Sequence, residues 1–281
     1  MVNPEDLTLM TEQEKLDLLL QLSEMEEWQN SVELIFERLM EDASPRVRQE
    51  AISALWDLAE PKHIEPLMRK AENDADLEVR AKAASVLGIY VYEAVVHASL
   101  EEAQYLMVRS FLLDLAQNPR EELLVRRMAI EALSFDPDDT VQDLIDWAYR
   151  HDDVEVKMTA LFAMGRSRNP RWYEVILSEL DSPERQLQIE AVNAAAEAGL
   201  PAATPRLRNL ANHKDNEIRM AAIWALAHTR GPGALETIEM CAQSDDEETR
   251  NVAAEALEEF YQQAEEIGEE DSEDDTEEFD D

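Results

Sequence analysis

The sequence predicts an all-α fold, a right-handed solenoid of about seven stacked helix pairs, and three observations carry that expectation. A nine-residue phrase recurs seven times: an aliphatic residue, a basic residue, two variable positions, Ala, two variable positions, then Ala and an aliphatic residue. Its first copy is Val47-Arg48-Gln49-Glu50-Ala51-Ile52-Ser53-Ala54-Leu55, and the copies begin at Val47, Val79, Val125, Val156, Leu187, Ile218 and Thr249. The steps between them are 32, 46, 31, 31, 31 and 31 residues. A fixed period of this length marks one supersecondary unit stacked on copies of itself, because a single unit is too small to bury its own apolar face. The second observation is composition: Ala, Leu, Glu and Met dominate, Gly numbers only 6, and Pro falls between the periodic segments, which favours helix and leaves little room for strands. The third is a second apolar stripe at helical spacing ahead of each phrase, such as Val141-Leu144-Ile145-Trp147 or Leu235-Ile238-Met240.

Taken in chain order, residues 1–10 are expected to be a flexible N-terminus. Thr11-Glu12-Gln13-Glu14 is a capping box that opens an amphipathic helix over 11–28, with its stripe at Leu16, Leu19, Leu20, Leu22 and Met25. Such a helix shields the end of an array, whose terminal face has no neighbour. The array itself is expected over 29–264. Each unit has a helix A carrying the first stripe and a helix B carrying the phrase. Three residues before the anchors stand Ser44, Asp76, Glu122, Asp153, Glu184, Asp215 and Asp246, placed to cap helix B and to complement its N-terminal dipole. One residue after the anchors stand Arg48, Arg80, Arg126, Lys157, Gln188, Arg219 and Arg250. They predict a ladder of bridges to the acidic turns, with Gln188 as its one break.

The 46-residue step holds an insertion. Gly88–Gln104 carries Ile89-Tyr90-Val91-Tyr92, Val95-Val96 and a capping-box-like Ser99-Leu100-Glu101-Glu102, so it is expected to lengthen the flanking helices rather than form a loose loop. Residues 265–281 contain twelve acids and no base, with Phe279 as the lone aromatic. Dense like charge with few apolar groups predicts a disordered acidic tail.

The formal net charge is −39. A body this acidic repels phosphate backbones, whose binding requires neutralisation by Lys and Arg, so nucleic acid and anionic membrane are excluded as expected partners. A basic protein surface is electrostatically compatible. No apolar run is long enough to span a bilayer, the first residues lack the pattern of a signal peptide, and the single Cys241 excludes an internal disulfide. The expectation is a cytoplasmic monomer, with Cys241 as a small core residue.

The aliphatic-Arg-x-x-Ala-x-x-Ala-Leu phrase behind an acidic turn resembles the HEAT-repeat family, in its short phycobilisome-lyase-like branch. Every copy supports this, from Val47-Arg48 through Ala54-Leu55 to Thr249-Arg250 through Ala256-Leu257. The resemblance implies an array of antiparallel helix pairs and, most often, a protein-binding role. Deoxyhypusine hydroxylases of similar architecture hold iron through His-Glu dipeptides, but the five histidines here precede Ile64, Ala98, Asp152, Lys214 and Thr229. His151-Asp152 is the nearest approach. HEAT-like DNA glycosylases need a cationic groove, which the charge opposes. No paired-Cys metal site, nucleophile elbow or glycine-rich phosphate loop is present, so no cofactor and no catalytic residue is expected.

At about 100° per residue, phrase positions +0, +4, +7 and +8 cluster toward the core, and +2, +6 and +9 fall on the opposite side of helix B. In the first copies that outer face reads Gln49, Ser53, Trp56, then Ala81, Ser85, Gly88, then Arg127, Glu131, Ser134, and in the last Asn251, Glu255, Glu258. The middle copies offer Met158, Phe162, Ile189, Met220 and Trp224, and these five are expected to form one apolar patch on the concave side. Met and aromatic residues on an exposed face are the material of binding hot spots. Glu50, Glu131, Glu190 and Glu255 would supply a negative rim. The function expected is therefore a non-catalytic scaffold binding a partner that is basic or presents an amphipathic helix. The alternatives are a bilin lyase-like or chaperone-like factor acting on a tetrapyrrole-bearing protein, or an acidic escort of basic proteins.

Overall fold

The structure, a computed structural model, describes residues 6–23, 30–57 and 59–274. Among the described residues it is helical throughout, with no strand, and it divides into two compact units meeting in sequence at Trp147 and Ala148. The capping box at Thr11 forms as expected: the Glu14 carboxylate accepts from the Thr11 backbone N–H at 2.7 Å, and the Thr11 hydroxyl accepts from the Glu14 N–H at 3.3 Å. It opens α1 (Glu12–Ser23), whose buried face is Leu16, Leu18, Leu19 and Leu22. Leu20, assigned to that face from spacing, is 62% exposed, and Leu18 takes its place. Met25 lies outside the described residues.

The remainder of the first unit is α2 (Asn30–Leu39), α3 (Pro45–Ala54), α4 (Ile64–Asn73), α5 (Leu77–Val86), α6 (Gly88–Val95), α7 (Glu102–Gln117), α8 (Leu123–Ala132) and most of α9 (Asp139–Tyr149). The phrase-bearing helices lie side by side in the order α3, α5, α8, each backed by its helix A, and α1 packs on α3 where a preceding helix B would stand. The insertion is ordered. α6 follows α5 after a single residue, Leu87, and packs Ile89, Tyr90 and Val91 inward, with the Tyr90 hydroxyl donating to the Glu60 carbonyl at 3.0 Å. A short turn then leads into α7, the long helix A of its pair.

The second unit contains α10 (Val154–Ser167), α11 (Tyr173–Glu179), α12 (Arg185–Glu197), α13 (Thr204–Leu210), α14 (Asn216–Thr229), α15 (Ala234–Cys241) and α16 (Glu247–Asp274). Here α10, α12, α14 and α16 form the row of phrase-bearing helices. α16 continues to Asp274, past the limit of 264 that composition sets for the array. Residues 275–281, Phe279 among them, lie outside the described residues.

Anchors and +4 alanines account for the core. Val47, Val79, Val125, Val156, Leu187, Ile218 and Thr249 are all buried, as are Ala51, Ala83, Ala129, Ala160, Ala191, Ala222 and Ala253. Alanine at +4 lets neighbouring helices close to contact without leaving voids. Cys241 is buried, and that burial pushes its thiol pKa up.

The turn between helices A and B carries a hydrogen-bond pattern that the sequence reading resolves only in part. Ser44, Asp76, Asp153, Asp215 and Asp246 cap as expected, each accepting a backbone N–H of the first helical turn, a contact worth about 1 kcal/mol. Glu122 and Glu184 make no side-chain cap, since one further methylene carries the carboxylate past the N–H groups. Two residues earlier a second acceptor pins the turn: Asp42, Asp74, His151, His213 and Ser244 each accept the N–H of the capping residue at 2.9–3.2 Å. His151, the nearest approach to a metal dyad in the sequence, is thus a turn acceptor through Nδ1.

The +1 ladder is also built differently from the expectation. Arg48, Arg80, Arg126, Gln188, Arg219 and Arg250 each donate to a carbonyl near the end of their own helix A, on Asp42, Asp74, Ala116, Leu180, His213 and Ser244 respectively. Gln188 is therefore no break: its amide donates to Leu180 at 2.7 Å as the guanidinium groups do. Salt bridges to the next layer are added where geometry allows, as in Arg48–Asp74, Arg80–Glu121 and Arg219–Asp246.

A second tie between layers runs from Arg185 to Asp215 at 2.7 Å, with Glu217 also in contact. The hydrogen bonds from Arg185 hold the Asp215 carboxyl at about 2, below its ordinary 3.8. The folded chain binds that proton less tightly than the unfolded chain. The contribution is thus complete above about pH 4 and disappears as pH falls towards 2. Arg185→Gln should melt below the parent at pH 7, and the gap should close on acidification towards pH 2. A gap that persists unchanged there would assign the loss to packing of the Arg185 stem.

Candidate protein-binding face

The five candidate residues fall on three helices packed consecutively within the second unit. Met158 and Phe162 lie on α10, Ile189 on α12, and Met220 and Trp224 on α14. Inward positions are taken by the anchors and alanines, and α12 and α14 are backed by α11 and α13, so positions +2 and +6 are left at the surface. Trp224 is 40% exposed, and Met158, Phe162, Ile189 and Met220 are half-buried.

Position +9 leaves that surface in four copies. Gly88, Ser134, Gly165 and Ala227 are buried, whereas Trp56 and Ala196 are half-buried and Glu258 is exposed. Gly165 sits so close to α12 that a Cβ built on it would lie 2.7 Å from the Ala194 Cα, and Gly88 approaches Ala132 on α8 in the same way, at 2.9 Å. A helix B in a stack is flanked by two further B helices as well as by its own helix A, so its buried arc is wider than a single apolar stripe. Small residues at +9 are the signal of this seam.

The +6 row reads Phe162, Asn193, Trp224, Glu255 from α10 to α16, so an exposed amide separates the two aromatics in helix order. The +2 row, Met158, Ile189, Met220, Asn251, is apolar across the same three helices. Each aromatic carries a basic neighbour one turn on: the Arg166 guanidinium lies 4.8 Å from the Phe162 ring centre, and the His228 ring 5.0 Å from that of Trp224. These +10 residues were not singled out from the sequence, although aromatic–basic spacing of i,i+4 is legible there. His228 in turn faces Glu259 at 3.7 Å.

Both edges of this face carry both signs of charge. The N-terminal edge of the row holds Asp153, Glu155, Glu184, Asp215, Glu217, Asp246, Glu247 and Glu248 in excess over Lys157, Arg185, Lys214, Arg219 and Arg250, and the C-terminal edge holds Arg166, Arg168, His228 and Arg230 beside Glu197, Glu258 and Glu259. Arg168 and Arg230 adopt left-handed backbone at φ 47° and 49°, and Gly199 takes the equivalent place on α12 at 56°. Their guanidinium groups donate to carbonyls of the following helix B, on Glu197 and Phe260. Of the expected acidic rim, Glu190 and Glu255 belong to this unit, whereas Glu50 and Glu131 belong to the first.

Stacked two-helix units joined by short turns, with a helix row offering side chains to solvent, define an α-solenoid of helical repeats. The sequence matches HEAT repeats over residues 32–122 and 173–258, and the chain belongs to that family. Among solved structures it is similar to YibA of Escherichia coli, at 13% identity and a TM-score of 0.50 over 90% of this chain and 98% of that one. It is also similar to the complex of CpcE and CpcF of phycocyanin lyase from Nostoc sp., at 18% identity and a TM-score of 0.55 over 83% and 89%. Importin beta matches at 12% identity and a TM-score of 0.50, covering 87% of this chain and 38% of that one. At these identities the likeness is one of fold. No curated protein matches the sequence. Among the described residues no helix is long and apolar enough to cross a membrane.

Proposed function

We propose that the chain is a non-catalytic scaffold that binds a protein partner on the outer face of α10, α12 and α14. The observation that carries this reading is the apolar +2 row of Met158, Ile189 and Met220, flanked at +6 by Phe162 and by an indole, Trp224, left 40% exposed. Met and aromatic side chains left partly exposed on a helical surface are typical anchors of protein interfaces. The excess of acids along the N-terminal edge suits a partner helix with apolar anchors and a basic edge.

The test is a quantitative pull-down from source-cell lysate with the parent chain and with Phe162→Asp/Trp224→Asp. The variant should keep its helicity, with a melting temperature lowered only by the packing of half-buried Phe162, and lose a specific partner by tenfold or more, the size of a hot-spot loss. Capture of the same proteins by both chains would exclude this face. The similarity to CpcE and CpcF favours a second reading, a lyase-like factor for a tetrapyrrole-bearing protein. An absorbance change on mixing with a bilin would support it.

A further inference from the structure

The insertion that breaks the 31-residue period builds a second exposed apolar surface, in the first unit. Val95 and Val96 at the end of α6 are 37% and 51% exposed, and Leu106 and Met107 in the second turn of α7 are 50% and 38% exposed. These four flank one short turn, and α6 packs against α7. Along α7 the exposed residues Ala103, Leu106, Met107 and Ser110 recur at i, i+3, i+4 and i+7, a helix face with no charge on it until Asp114. The inward face of the same helix, Val108, Leu112 and Leu115, is fully committed to the core. The outer stripe is therefore not a displaced core face. It is a second apolar face on a helix that already has one.

The electrostatic surroundings of the stripe are one-sided. Residues 93–114 contain Glu93, Glu101, Glu102 and Asp114 against a single arginine, Arg109. That guanidinium is already neutralised by Asp136 at 2.5 Å and Asp138 at 2.8 Å. Glu101 makes no side-chain cap to α7, and Glu101 and Glu102 both stand exposed beside the apolar stripe. A second copy of this chain would bring another −39 against the surface, so self-association is opposed by charge. A cationic partner is drawn to it.

We propose that the α6–α7 hairpin is a docking surface for a basic amphipathic helix, whose apolar side chains cover Val95, Val96, Leu106 and Met107 and whose Lys or Arg residues meet Glu101 and Glu102. The small residues Ala103 and Ser110 on either side of Leu106 and Met107 leave hollows in which the ridge of a second helix fits. This surface is separate from the α10–α14 face and stands or falls without it.

The probe is a synthetic leucine–lysine amphipathic helix of about five turns, with a leucine–glutamate peptide of the same pattern as control. Binding is followed by fluorescence anisotropy in the Phe162→Asp/Trp224→Asp background, which removes the other face. Hydrogen exchange reports where the peptide sits. The lysine peptide should bind, protect amides within 95–110, and bind tenfold or more weakly once Leu106→Asp/Met107→Asp is added. The glutamate peptide should fail to bind. Equal binding of both peptides, binding without protection of 95–110, or no binding in this background overturns the proposal. Should Leu106→Asp/Met107→Asp fold poorly, the protection map on the unsubstituted hairpin still decides.

Discussion

Arg48→Ala should be among the most damaging single substitutions in the first unit, costing about 3–5 kcal/mol. Arg48 donates twice to the Asp74 carboxylate, at 2.6 and 2.9 Å, and once to the Asp42 carbonyl at 2.9 Å. The two side chains are 11% and 4% exposed, so the pair is largely shielded from water and Asp74 loses its main partner when the guanidinium is removed. Burial is the largest influence on Asp74 and pushes its carboxyl pKa up. The Arg48 hydrogen bonds lead the opposing contacts, with the Asp76 N–H and the charges of Arg48 and Lys70 behind them, and together they hold it below the usual range. Removing Arg48 leaves a buried carboxylate with Lys70 at 3.5 Å as its remaining cation. Because a repeat array can open locally, hydrogen exchange in α3 to α5 is the measurement, read beside thermal unfolding. Adding Asp74→Asn should recover part of the loss, since a neutral amide is less costly to bury. A loss below about 1 kcal/mol would show that the pair behaves as an exposed salt bridge.

Asp74 also shows how far the sequence could be read. That a basic residue follows every anchor but Leu187, and that an acid precedes most of them, is legible from spacing, and so are the seven helix B segments, their buried anchors and the capping box at Thr11. The partners were not legible, because the reach of a long side chain depends on where the previous helix ends. Arg48, Arg126 and Gln188 find carbonyls 6, 10 and 8 residues upstream, and only the three-dimensional turn makes these equivalent. Position +9 turns inward in four copies for a related reason. A helical wheel assumes one neighbour, and each helix B in the stack has several, so Gly88, Ser134 and Gly165 are buried where the wheel points them outward. Of the candidate face, residue types and helix positions were legible. The interruption at Asn193 and the basic neighbours Arg166 and His228 emerge only when the rows are read across adjacent helices rather than along one.

Gly165→Ala should destabilise the second unit by about 2 kcal/mol, although helix propensity alone favours alanine over glycine by about 1 kcal/mol. The two effects are opposed, and geometry decides between them. The added Cβ would lie 2.7 Å from the Ala194 Cα and 2.9 Å from its carbonyl oxygen, well inside van der Waals contact. These are backbone atoms of a neighbouring helix and cannot turn away as a flexible side chain can. α10 and α12 must therefore separate. Overpacking of this kind costs about 1–3 kcal/mol, and here the loss extends along the seam, since contacts between the two helices loosen together. The same displacement moves Met158 and Phe162 relative to Ile189, so a partner held across α10 and α12 should bind more weakly to Gly165→Ala even where the chain remains folded. Thermal unfolding and partner capture on one preparation separate the two consequences. A variant that melts about 1 kcal/mol higher instead would mean that the seam yields and propensity prevails. In that case the spacing of the candidate face is set by the buried anchors rather than by the glycine.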